Sequence, residues 1–336
     1  MAKVVIHIGT HKTASTTIQD MFAHNAELLK QHGVIYPRLG RSAGHHGLVM
    51  SWNKLPEVYA ISGGGPAALR QISDDYGSGD HTVFLSSEEF SRGAEGSQVD
   101  FAELRGLLSG FAEIEVICVL RSQWRFLQSV YLEVSKRKTP PSPPTVVTAA
   151  IETGLVGGAV GGLWADYNLL YDHLLKAFAP EEITLLDFDA CCRHEGGILG
   201  AMLAHLQVGL TVGQMELVHG GLSNVSPLAL PAWAATTIAM PQPAPAWLIE
   251  CTSSAFRIEF GETAKPCLFS KAEYSRLAAH FAPANARLAE RCKPFQSDFA
   301  ISPATHDKTY VFRDNLTPSF WLRCNRWIFA HKVGGR

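Results

Sequence analysis

A chain of 336 residues, 46% of them apolar and 18% charged, has the side chains for a sizeable core and too little charge for a disordered polymer. Its formal net charge of −2 excludes a nucleic-acid role carried by bulk positive charge, and no run of about 18 apolar residues offers a membrane span. Seven cysteines, none at metal-ligand spacing and two of them adjacent (Cys191, Cys192), read as reduced thiols of a cytoplasmic protein.

In chain order, residues 3–9 (KVVIHIG) read as a buried strand, too short in its apolar run to be a secretory signal. A hydroxyl-rich turn follows, then a helix over 15–31 with Ile18, Met21, Phe22, Leu28 and Leu29 on one side. GVIYP (33–37) is a short second strand ended by Pro37, and a loop bearing His45 and His46 leads to a flexible SGGGP near residue 64. Residues 81–90 form a third strand running into Ser86, Ser87, Glu88 and Glu89, and 113–122 a fourth that stops at Arg121. A helix is expected from Gln123 to Lys136, with Ser129 two turns in. KRKTPPSPPT (136–145) has four prolines in five positions and reads as a loop or extended linker. After the Gly-rich 154–162, a helix over 163–178 and a strand over 183–189 resume the alternation. Beyond about residue 190 the chain reads as mainly helical, with Pro-rich breaks at 227–245 and no internal repeat.

Strands alternating with helices predict a three-layer α/β fold of P-loop type: a central, mostly parallel sheet of about five strands flanked by helices. Residues 1–300 are expected to form a single domain with inserted loops near 139–162 and 220–265, and residues 301–336 a basic, aromatic C-terminal extension. In such sheets ligands bind beyond the carboxyl ends of the strands. Three strand ends carry chemistry there.

The first is Gly9, Thr10, His11, Lys12, Thr13, Ala14, Ser15, Thr16 and Thr17. A helix N-terminus with a Lys and several hydroxyls favours an anion. An ordinary N-cap by Thr13 or Ser15 would explain one hydroxyl and leave Lys12 unexplained. The loop departs from G-x-x-x-x-G-K-[ST], having no Gly before Lys12. The second is Arg121 with Ser129, a fork and a hydroxyl that suit another phosphate, or else a structural ion pair and a solvated serine. The third is Glu88 and Glu89, which point opposite ways if they continue the strand, so that one enters the cleft as a proton acceptor; the other reading makes them helix-start acids after Ser86 or Ser87. His45 and His46 read either as surface loop residues or as substrate contacts and alternative bases. His7 reads as a core or edge residue, and His11 as a possible ligand contact inside the loop.

Together these residues resemble the sulfotransferases that use 3′-phosphoadenosine 5′-phosphosulfate (PAPS). The family's first signature, a strand–loop–helix with a Lys-Thr-Gly-Thr-Thr-like core, is similar to Lys12-Thr13-Ala14-Ser15-Thr16-Thr17, and its second to Arg121 and Ser129 in VLRSQWRFLQSVY. A weaker resemblance extends over most of 3–292, to bacterial proteins with an HIGTHKT start, an HH loop (AGHHGL), an SSE strand end (LSSEEF) and a late Ser-Asn-type helix (KAEYSRLAAHFAPANARLAERC). The resemblance implies in-line sulfuryl transfer from PAPS to a hydroxyl or amine of a carbohydrate or small-molecule acceptor, leaving adenosine 3′,5′-bisphosphate (PAP), with no metal. It assigns the 5′-phosphosulfate to residues 9–17 with Lys12 on the leaving phosphate, the 3′-phosphate to Arg121 and Ser129, and the base to Glu88 first, His45 or His46 second. Ala14 stands where the family has Gly and is expected to fit the first helical turn. Rival readings are a P-loop nucleotide kinase, for which Asp187 and Asp189 are the strand-end acids, and a non-catalytic nucleotide- or glycan-binding relative. The tail FWLRCNRWIFAHKVGGR (320–336) reads as a packed helix, or as one that meets a membrane surface or a partner.

Overall fold

The computed structural model describes residues 1–157, 161–218, 220 and 227–334. Residues 158–160 of the Gly-rich stretch and 221–226 of the expected acceptor loop lie outside the described residues. The chain divides into two compact units, Met1–Arg121 with Gly154–Asn224 and Pro283–Ser302, and Ser122–Thr153 with Val225–Ala282 and Pro303–Arg336.

The first unit is built on a five-stranded parallel sheet in the order β2-β3-β1-β4-β7: β1 (Lys3–His7), β2 (Val34–Ile35), β3 (Thr82–Ser86), β4 (Glu113–Leu120) and β7 (Ile183–Asp187). Alternation along β1 feeds both faces. Val4, Ile6 and Ile8 join Val83, Leu85, Val116 and Leu120 in a core closed by the helices α3 (Gly65–Tyr76), α4 (Phe101–Leu107) and α7 (Tyr167–Leu174). Val5, Phe84, Ile117 and Val119 face the other way, onto Ile18, Met21 and Phe22 of α1 (Ser15–His24), Leu29 of α2 (Ala26–Gln31) and Met202 of α9 (Gly197–His205). This is the expected α/β architecture, a parallel sheet between two helical layers. Near-continuous apolar strands are what a sheet covered on both faces requires.

Several expected elements have different limits, and in four of them the local reason is clear. The 15–31 helix breaks at Asn25, whose side chain donates to Met21 O (2.9 Å) and Glu216 O (3.0 Å) and accepts from Glu216 N (2.8 Å). Residues Leu163–Trp164 are a strand, β6, antiparallel to β5 (Leu155–Val156); the helix starts only at Tyr167, after Asp166 accepts from Asn168 N at 2.9 Å. The 183–189 strand stops at Asp187, which accepts from Ala190 N (2.9 Å) and opens the short α8 (Phe188–Cys191). The proline run does not stay extended: α6 (Pro143–Thr153) begins inside it, because proline in a helix's first turn sacrifices no hydrogen bond.

The second unit is mainly helical. It holds α5 (Gln123–Ser135), α6, α10 (Ala229–Ala239), α11 (Ala246–Phe260) and α13 (Pro318–Gly334), with a short parallel pair, β8 (Lys265–Cys267) and β9 (Tyr310–Phe312). Leu230, Ala234, Ala255, Phe256, Val311, Phe320 and Cys324 form its core, so β9 and α13 of the 301–336 segment are built into it. The helix α12 (Lys271–Cys292) begins in this unit and passes into the first at Pro283. No described helix is long and apolar enough to cross a membrane.

Candidate active site

The β1–α1 loop stays fastened to β4 after the strand ends, with Ile8 N donating to Ile117 O (2.9 Å) and Thr10 N to Val119 O (2.8 Å). Gly9 has φ +83°, and a Cβ there would lie 2.8 Å from Glu88 Cβ, so a glycine is what lets the loop meet the turn after β3. Lys12 and Ala14 both adopt left-handed backbone, at φ 65° and 64°. Ala14 therefore does not sit in the first helical turn; it precedes it, in the conformation for which glycine is the ordinary choice. The hydroxyls of Thr10 and Thr13 are already engaged, Thr10 on Val119 O of β4 (3.2 Å) and Thr13 on Thr10 O within the loop (2.5 Å).

Because the N-cap residue is Ala14, no side chain caps α1. The amides of Ser15 and Thr16, in its first turn, have no intrahelical acceptor by geometry, and the dipole favours an anion there. Ser15 Oγ, three residues after Lys12, is buried and has no hydrogen-bond partner, a donor held ready. Arg121 reaches the same loop: Nη1 donates to Lys12 O (3.4 Å) and its guanidinium lies 4.7 Å from the Phe188 ring centroid. Tyr167 OH donates to Arg121 O at 2.6 Å and fixes its backbone. Ser129 lies on α5, in the second unit. Asp187, one of the two strand-end acids, is engaged by Ser302 (Oγ, 2.6 Å; N, 3.2 Å) and by the start of α8.

Glu88 and Glu89 do not continue β3. They open a 3₁₀ turn, Glu88–Ser91, whose N-cap Ser87 accepts from Glu89 N (3.2 Å). Their partners, rather than strand alternation, separate them. Glu89 takes Arg92 in a two-pronged pair (2.6 and 3.1 Å) and His11 Nε2 at 3.4 Å. Burial alone would raise its pKa; His11 and Arg92 outweigh it and hold the carboxyl well below the usual carboxylate range. Glu88 Oε2 accepts from Gln19 Nε2 at 2.9 Å, and among the described residues no side chain is hydrogen-bonded to Oε1. Burial pushes Glu88 up, but the charges of His46 and His11, with the Gln19 hydrogen bond, bring it below the ordinary value.

The histidines divide as well. His45 is buried, accepts from Ser86 N at Nδ1 (2.9 Å) and so donates from Nε2 to Pro37 O (2.7 Å). Both nitrogens are committed to backbone, and burial pushes its pKa down to about 4. It braces the loop and has no nitrogen left for a substrate proton. His46 bonds Ser87 Oγ through Nδ1 (2.8 Å), and its Nε2 borders the same narrow space at Gly44 as the Gln19 amide. His7 bonds Ser86 Oγ (2.8 Å) at the β1–β3 register pair and is buried, its pKa lowered to about 4.

The structure thus gathers Gly9–Thr17, Arg121, Glu88, Glu89 and His46 at the carboxyl ends of β1, β3 and β4. Gln19 and Arg92 complete the cluster. Gln19 is a polar residue inside the buried stripe of α1, next to Ile18, and Arg92 lies three residues after Glu89; both are readable signals for a held carboxylate.

No family model matches the chain, and neither does any curated protein. Among solved structures it is similar to a sulfotransferase from Alicyclobacillus acidocaldarius, at 15% identity over 86% of this chain and 94% of that one, with a TM-score of 0.45. It is also similar to the sulfotransferase domain from the curacin biosynthetic pathway (14% identity, 73% and 94% covered, TM-score 0.37). A third is the sulfotransferase domain from the Synechococcus PCC 7002 olefin synthase (10%, 63% and 74%, TM-score 0.32). Identities this low and TM-scores below 0.5 leave the functional reading to the residues themselves.

Proposed function

We propose that the chain is a sulfotransferase that binds PAPS at the β1–α1 loop and moves its sulfuryl group to an acceptor hydroxyl. The observation that carries this reading is the uncapped start of α1, where Ser15 Oγ is buried without a partner at the end of a loop that carries Lys12 and to which Arg121 is bonded. Donors gathered at one helix start suit a phosphate ester, and the sequence resemblance supplies the phosphosulfate.

In this reading the first-turn amides, Lys12 and Ser15 hold the 5′-phosphosulfate. Arg121 and Ser129 are the proposed holders of the 3′-phosphate. The acceptor oxygen attacks sulfur, a new O–S bond forms, and the bond from sulfur to the bridging phosphate oxygen breaks. The charge that develops on that oxygen falls on Lys12 and the loop amides, donors typically worth about 10²–10³ in rate each. Glu88 receives the acceptor's proton. It is the carboxylate with an oxygen to spare, whereas Glu89 is consumed by Arg92 and His11. The acceptor class proposed is a carbohydrate or glycosylated small molecule, and the setting proposed is the cytoplasm.

The test is calorimetric titration of PAP in EDTA, followed by mass spectrometry of an acceptor panel incubated with PAPS. Binding without metal and a mass gain of SO₃, both lost or reduced by at least about 10²-fold in rate in Lys12→Ala, are expected. A chain that ignores PAP, or that binds nucleotide only with Mg²⁺, would overturn the reading.

A further inference from the structure

The helix α13 carries a second surface, unrelated to the nucleotide loop. Its inner face is packed: Phe320 and Cys324 are buried in the core with α11, and His331 stacks on Trp247 with ring centroids 4.7 Å apart. At about 100° per residue, Leu322, Phe329 and Val333 fall within roughly 40° of one another on the opposite face. They are 57%, 69% and 56% exposed. An apolar stripe three turns long on the solvent side of a helix already packed on its other side is not core left over; it is a face with an occupant to come.

Charge says which occupant. The helix has no acidic residue. Arg326 flanks the stripe on one side and has no hydrogen-bond or ion-pair partner among the described residues. Lys332 flanks it on the other, its ammonium 5.9 Å from the Trp247 ring. Arg323 is answered by Glu259 (2.6 Å) and is not counted. A second copy is disfavoured, since a two-fold pairing of the stripe sets Arg326 beside its own image. An anionic lipid surface satisfies both features at once: the stripe enters the acyl boundary while Arg326 and Lys332 reach phosphates. We infer that α13 docks the protein on an anionic membrane surface, lying in its plane without crossing it.

The test is co-sedimentation of the full chain with vesicles of phosphatidylcholine, with and without phosphatidylserine. Binding to the phosphatidylserine vesicles, weakened by salt and largely absent on phosphatidylcholine alone, is expected. Arg326→Glu with Lys332→Glu should weaken it by at least about 25-fold, from about fivefold per basic residue near such a surface. Leu322→Ser, Phe329→Ser and Val333→Ser together should abolish it with the melting temperature nearly unchanged, since all three side chains are more than half exposed. Failure to pellet with phosphatidylserine vesicles overturns the inference, as does undiminished pelleting of the serine variant. A concentration-dependent dimer that Phe329→Ser dissolves, without vesicle binding, would assign the face to a second copy and overturn it too.

Discussion

Ala14 is the most informative residue to change, because its methyl group and its backbone pull in opposite directions. It occupies φ 64°, ψ 24° at the head of α1, where a side chain costs about 1–2 kcal/mol relative to ordinary helical backbone. Ala23, nine residues on in the same helix, has no such strain, and both are partly buried against the same core cluster. Ala14→Gly and Ala23→Gly therefore delete a similar methyl group and add the same freedom to the unfolded chain. Each loses about 0.5–1 kcal/mol on those counts, but only Ala14→Gly recovers the left-handed strain. The two variants should differ by about 1–2 kcal/mol, with Ala14→Gly neutral or stabilised and Ala23→Gly destabilised. Urea unfolding followed by circular dichroism reads this directly, as midpoints at a common slope. Equal losses in the two variants would refute the left-handed assignment and with it the geometry of the loop.

Gly9→Ala should cost about 1–3 kcal/mol, from a positive φ and a Cβ 2.8 Å from Glu88 Cβ, and should displace Glu88; an unchanged melt would deny that contact. Glu88→Gln should lower kcat by about 10²–10⁴ while PAP affinity holds, because it removes a proton acceptor and keeps the Gln19 contact; near-normal turnover removes Glu88 from the chemistry. Glu89→Gln should instead lower stability by about 1–3 kcal/mol, since Arg92 and His11 lose their anion, and a variant as stable as the parent would refute that role. Stability should also fall with pH. His7 and His45 drop from 6.5 to about 4 on folding, so between those values the unfolded chain binds protons that the folded chain does not, and stability is lost as pH falls from about 6.5 towards 4. The two contribute on the order of 3 kcal/mol each over that window. Unfolding free energies that stay level between pH 7 and 5 would contradict it.

What the sequence made legible is what neighbouring residues decide. The apolar runs of β1, β3 and β4 show a sheet covered on both faces, and a Gly-led, hydroxyl-rich turn shows where the first of them ends. What it hid depends on residues far apart in the chain. Asn25 breaks a continuous helical pattern because Glu216 supplies both a donor and an acceptor to it. The sequence names Glu88 the first-choice base but shows no partner that separates it from Glu89; Gln19, His11 and Arg92 supply that distinction. Likewise Arg121 and Ser129, eight residues apart, belong to different compact units, a division that falls just after Arg121 and has no punctuation in the sequence.

The loop also shows how the proposed phosphate site would form with one glycine where two are usual. Gly9 serves both a positive φ and a close approach, since a Cβ there would lie 2.8 Å from Glu88 Cβ. Two further left-handed positions fall on Lys12 and Ala14, which are not glycines, and strained residues persist only where their surroundings over-determine them. Here Thr10 is tied to β4 through both its amide and its hydroxyl, Thr13 is tied back to Thr10, and Arg121 holds the Lys12 carbonyl. Four hydrogen bonds, one within the loop, two to β4 and one from Arg121, set its shape before any ligand arrives. Donors fixed in advance need no reorganisation as charge develops, which is the condition under which a lysine and a few amides become effective on a leaving phosphate.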